Sequence, residues 1–97
     1  MRISSEEQAV IVEEVGKRDP KATTYLFGSR VDDSARGGDI DLLVESETIS
    51  FSDKLSILAA IKARIGDQKI DLVISRDVRQ DPDPLISLVR ERAIPLS

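Results

Sequence analysis

Two rhythms of apolar residues alternate along the chain, one with the spacing of helices and one with the spacing of strands. Ser4 and Ser5 followed by Glu7 and Gln8 form a capping-box arrangement, and Val10, Ile11, Val12 and Val15 extend it as a helix of about three turns before Gly16. Asp19-Pro20 breaks that helix, and the β-branched and aromatic run Thr23-Thr24-Tyr25-Leu26-Phe27 predicts a strand ending at Gly28. A polar stretch from Ser29 to Gly38 leads into Asp39-Ile40-Asp41-Leu42-Leu43-Val44-Glu45, a second strand whose two faces differ sharply at its start. Ser50 and Ser52 offer N-caps for a helix in which Phe51, Leu55, Leu58, Ile61 and Ile65 recur at helical spacing, with Gly66 placed to stop it. Lys69 to Ser75 supplies a third strand. Asp83 as N-cap and Pro84 at the first helical position open a last helix through Leu85, Ile86, Leu88 and Val89, and Ile94-Pro95-Leu96 is a candidate terminal strand.

This succession predicts an α/β (α+β) fold, a small mixed sheet of three or four strands covered by helices. With 97 residues there is room for one core, and residues 1–97 are expected to form a single domain. Leu85, Leu88 and Val89 are expected to pack on that core in preference to serving a dimer or partner interface, so a homodimer is an open alternative.

Composition narrows the chemistry. The only aromatics are Tyr25, Phe27 and Phe51, which leaves no platform for stacking bases, and a net charge of −4 has the wrong sign for phosphate backbones; stable nucleic-acid binding is not expected. The chain has no cysteine and no histidine, which removes disulfides, thiolate metal sites and the commonest general base. Catalysis must then run on carboxylates, hydroxyls and a hard cation. The amino terminus lacks an apolar signal core and the longest apolar run, Ile57 to Ile61, is too short to span a bilayer, so the expected location is the cytoplasm, with no membrane contact.

Residues two apart on a strand share a face, with Cα atoms roughly 6.5 to 7 Å apart, so Asp39 and Asp41 converge on one small volume while Ile40, Leu42 and Val44 point the other way. Crowded carboxylates raise each other's pKa unless a cation sits between them, and without His or Cys that cation is Mg²⁺ or Mn²⁺. Asp71, flanked by Ile70 and Leu72, repeats the device on the third strand. Three carboxylates suit a two-metal centre, with cations about 3.5 to 4 Å apart, in which Asp71 draws the proton from an acceptor hydroxyl. Gly28-Ser29, directly after the first strand, lets backbone N–H groups approach phosphate oxygens, and Arg30 and Arg36 in the same loop are candidates to neutralise phosphate charge. Each feature alone has an ordinary explanation, such as a half-exposed strand, a turn or a solvated arginine. Their order along the chain is what carries the reading.

Leu26-Phe27-Gly28-Ser29-Arg30, nine residues from Arg30 to Gly38, then Asp39-Ile40-Asp41-Leu42-Leu43-Val44 resembles the signature of the DNA polymerase beta-like nucleotidyltransferase superfamily. The short chain and the run Gly37-Gly38-Asp39-Ile40-Asp41-Leu42 are most similar to its minimal nucleotidyltransferases, although Gly37-Gly38 stands where many relatives have Pro-x-Ser. The resemblance implies two Mg²⁺ ions on Asp39, Asp41 and Asp71, phosphates held by Gly28 and Ser29, and ATP as nucleotide donor. It also implies a partner, a HEPN-domain ribonuclease toxin, to whose tyrosine hydroxyl AMP is transferred by the protein as antitoxin. The competing expectation is a binding module that neutralises its partner by occlusion alone. Modification of RNA or of a small molecule is disfavoured by the acidic charge and the lack of a second domain.

Overall fold

Each helix begins where the sequence supplies a cap. The computed structural model describes residues 1–32 and 38–97. Helix α1 (Ser5–Arg18) opens on Ser4, whose hydroxyl accepts from the Glu7 N–H while the Glu7 carboxylate accepts from the Ser4 N–H. It continues through Gly16 and leaves the helical path only at Asp19. Helix α2 (Phe51–Ile65) uses the same reciprocal box between Ser50 and Asp53 and ends at Gly66, whose φ of +99° suits only a residue without a side chain. Helix α3 (Pro84–Val89) starts on Asp83, which accepts from the Leu85 N–H.

Strands β1 (Thr23–Phe27), β2 (Ile40–Glu45), β3 (Ile70–Ser75) and β4 (Ile94–Pro95) form one mixed sheet in the order β3-β2-β1-β4. β2 is antiparallel to β1 and parallel to β3, and β4 closes the other side antiparallel to β1. The fold is thus the small α+β architecture expected, with the terminal strand present as the fourth.

Strand alternation sorts the sheet into two faces. Leu26, Ile40, Leu42, Val44, Ile70 and Leu72 join Val10, Ile11, Val15, Ile57 and Ile61 in the main core. The opposite face carries Phe27, Asp41 and Asp71 in one row and Tyr25, Leu43 and Val73 in the next. Among the described residues no helix is long and apolar enough to cross a membrane.

Two expectations about helix faces are corrected. In α2 the fully buried positions are Ile57 and Ile61, with Leu58 and Ile65 half-buried, whereas Phe51 and Leu55 are 71% and 52% exposed. The first turns of α2 carry these two side chains outward, with Phe51 beside Leu72, Val73 and Ile74 of β3. In α3 it is Ile86 that is buried; Val89 is half-buried, and Leu85 and Leu88 face solvent instead of the core.

Candidate active site

The register of the sheet assembles the acidic residues. Phe27 pairs with Asp41 across β1 and β2, and Asp41 pairs with Asp71 across β2 and β3, so one row crosses three strands at the same level. Asp39, one residue before β2, shares the Asp41 side of the sheet by alternation. Asp41 and Asp71 are register partners on adjacent parallel strands. Burial first, and then the charges of Asp71 and Asp39, push the Asp41 carboxyl above the usual carboxylate range, with Lys69 offsetting part of the effect.

Gly28 closes over this row. Its φ is +75°, and a Cβ added there would overlap Asp41 Oδ2, so the backbone reaches the carboxylate only because no side chain intervenes. A single 3₁₀ turn, Gly28–Val31, follows, and the opening N–H groups of such a turn have no acceptor within it. Gly38, with φ of +90°, packs its α-carbon against the Ser29 side chain in the same way: a Cβ there would overlap Ser29 Oγ. Both ends of the polar loop are therefore pinned against site residues by glycines.

The model of the nucleotidyltransferase domain matches residues 9–94, a span that holds the whole row and the glycine turn. The chain belongs to the nucleotidyltransferase domain family. That places it in the DNA polymerase beta-like superfamily, and its chemistry is transfer of a nucleotidyl group. No curated protein matches the chain.

In the candidate site the structure brings Asp39, Asp41, Asp71, Gly28 and Ser29 together, and the Arg30 guanidinium is engaged with backbone carbonyls. The Arg30 guanidinium donates to the carbonyl oxygens of Arg2 at 2.8 Å and Gly38 at 3.3 Å, and its charge helps hold Glu7 below the usual carboxylate range, after the Ser4 and Gln68 hydrogen bonds. It braces the loop from the α1 side. Arg36 and Gly37 lie outside the described residues.

Lys69 is the residue that sequence reasoning missed. Its Nζ stands 3.5 Å from Asp39 Oδ2, a solvent-exposed pair worth little in stability. The signal was present as Lys69-x-Asp71 running parallel to Asp39-x-Asp41. Among the described residues no three acidic side chains are grouped closely enough to hold a metal ion between them. A cleft of about 510 Å³ opens beside the row, lined by Phe27, Asp41, Lys54, Leu58, Asp71 and Leu85 among others.

Proposed function

We propose that this nucleotidyltransferase transfers AMP from ATP to a hydroxyl group of a protein partner, a tyrosine of a HEPN ribonuclease toxin, and so acts as a cytoplasmic antitoxin. The observation that carries this reading is the Phe27–Asp41–Asp71 row beneath Gly28, where crowded carboxyl groups meet a backbone stripped of side chains.

The carboxylates of the row supply the hard oxygen donors that divalent cations take. Asp41 lies half-buried among like charges with Lys69 offsetting part of the effect, an environment that a cation would relieve. Asp39, Asp41 and Asp71 would hold two Mg²⁺ ions or their Mn²⁺ equivalents, which supply charge neutralisation for the triphosphate and acidify the acceptor hydroxyl.

The chain's own residues divide the remaining work. The Gly28-Ser29 backbone and the Ser29 hydroxyl donate to phosphate oxygens and fix the α-phosphorus against the row. Asp71 accepts the proton as the acceptor oxygen attacks; the new P–O bond forms, the bond to the bridging α–β oxygen breaks, and pyrophosphate leaves. A protein acceptor suits a surface that leaves Phe51, Leu55, Leu85 and Leu88 exposed.

One observation favours a second reading. Lys69 stands 3.5 Å from Asp39, and among the described residues no three acidic side chains are grouped to hold a metal ion, which suits a module that binds and occludes its partner without chemistry. Incubation with α-labelled ATP, Mg²⁺ and the product of the neighbouring gene separates the two. Label on that product, lost in the Asp39→Asn/Asp41→Asn protein, is the expected result; a stable complex without label would establish occlusion instead.

A further inference from the structure

β3 is the outer strand of the sheet on the side of the acidic row, and among the described residues nothing pairs with its free edge. The bonds at its two ends fix which groups are free. Ile40 N–H donates to Lys69 O and Ser46 N–H donates to Ser75 O, at 3.1 and 2.9 Å, so in a parallel ladder the odd-numbered residues of β3 serve β2. Ile70, Leu72 and Ile74 therefore turn their N–H and C=O groups outward. Unprotected edges of this length are templates for another strand.

The flanks of the edge are built for an occupant. Two clefts, of about 510 and 360 Å³, share Lys54, Leu72 and Val73 and run along β3 from Asp71 to Phe51. Leu85 borders the first and Phe51 the second, and both are exposed. Two cations line the second cleft without a carboxylate partner among the described residues. Lys54 lies over the Phe51 ring at 5.8 Å, and Arg76 donates to the carbonyls of Ser46 at 3.0 Å and Ile49 at 2.8 Å. The cleft thus offers apolar contact and uncompensated positive charge on a protein whose net charge is −4.

We infer that the β3 edge receives an extended segment of the partner polypeptide as an added strand, apolar at alternate positions and carrying a carboxylate that faces Lys54 and Arg76. Main-chain bonds to Ile70, Leu72 and Ile74 give the affinity, and the flanking pockets give the selection. A residue of the added strand level with Asp71 points its side chain to the same face as the acidic row. A hydroxyl at that position is delivered to the carboxylate proposed to take its proton. The inference rests on the proposed transfer to a protein hydroxyl and names how the acceptor is held.

The test uses synthetic ten-residue peptides with one central tyrosine and alternating apolar residues, one series carrying glutamate and one carrying lysine. Amide exchange and chemical shifts of the protein are followed by NMR without nucleotide. The expected result is protection of the Ile70, Leu72 and Ile74 amides by the glutamate series, with Asp71 and Val73 amides unchanged. Lys54→Glu, at a partly exposed position of α2, weakens that binding about fivefold and favours the lysine series. Equal binding of both series, protection confined to other elements, or a second copy of the chain covering β3 in sedimentation would each overturn the inference. The transfer reading is separated by repeating the titration with Asp39→Asn/Asp41→Asn. Docking that survives in that variant while wild-type protein with ATP and Mg²⁺ leaves the peptide unlabelled would sustain the docking site and remove the transfer.

Discussion

Two aspartates at opposite ends of β2 meet opposite treatment. Asp19, at the end of α1, is only 8% exposed, yet its carboxylate accepts from Ser46 Oγ at 2.6 Å and from the Lys21 N–H at 2.9 Å. The Ser46 hydrogen bond first, and the Lys21 backbone next, hold it below the usual carboxylate range despite burial. Ser46 in turn accepts from the Thr48 and Ile49 N–H groups, so one hydroxyl ties the exit of β2 to the approach to α2. Asp41, near the start of the same strand, meets two other carboxylates and is pushed the other way. Burial pushes both carboxyls up; at Asp19 the donors placed around it outweigh that push, and at Asp41 like charges add to it. Where the chain supplies such donors the buried acid is held ionised as part of the fold, and where it withholds them burial and like charge favour the neutral form.

Breaking the acidic end has the largest expected effect. Asp41→Asn should lower nucleotidyl transfer about a thousandfold or more while the far-ultraviolet dichroism is unchanged, measured with α-labelled ATP and acceptor. Transfer within tenfold of wild type, by the same order-of-magnitude scale, would remove the row from the mechanism.

Breaking the other end should spare the chemistry and weaken the fold. Ser46→Ala leaves a buried carboxylate and two N–H groups short of a partner and costs about 1–3 kcal/mol, read from urea unfolding. The sign of its pH dependence follows from Asp19. Because the folded carboxyl lies below its unfolded value, its stabilisation is present above the unfolded pKa and lost as pH falls through the folded one. The gap between wild type and Ser46→Ala should therefore narrow in acid, and a constant gap would rule Asp19 out as the cause.

Gly28→Ala adds left-handed strain of about 1–2 kcal/mol and forces Asp41 aside, so stability and transfer should fall together. The smallest effect sharpens the contrast directly. Without added cation, Asp41→Asn should unfold about one or two degrees higher than wild type, since the mutual repulsion is gone. Added Mg²⁺ should raise the midpoint of the wild type and leave that of the variant unchanged; equal responses would place the cation elsewhere.

The elements were legible in the sequence because local chemistry and burial agree there. Ser4, Ser50 and Asp83 cap the helices they were expected to cap, and the alternation around Asp39-Ile40-Asp41 sets the faces of β2 as read. The row of Asp41 and Asp71 was legible as two like-patterned strands, though only their parallel register puts the two residues level. The phase of α2 was not legible. Phe51, Leu55, Ile57, Leu58 and Ile61 admit two overlapping stripes of the same period, and the choice depends on where the first turns sit relative to the edge of β3. The same holds for α3, where Ile86 and not Leu85 meets the interior. Arg30 was legible only as a candidate for phosphate charge in a polar loop; its hydrogen bond to the carbonyl of Arg2, 28 residues away, is one that no local pattern reveals.

That brace makes the segment before α1 a handle on the glycine turn. Arg2 donates its N–H to Arg30 O at 2.7 Å, and its guanidinium donates to Ser29 O and Asp32 O, each at 2.9 Å. A cleavage after Ile3, or a bulky tag drawn across the first residues, would unhook the glycine turn from behind without touching any acidic residue. Which end carries a purification tag is therefore part of the experiment on this protein.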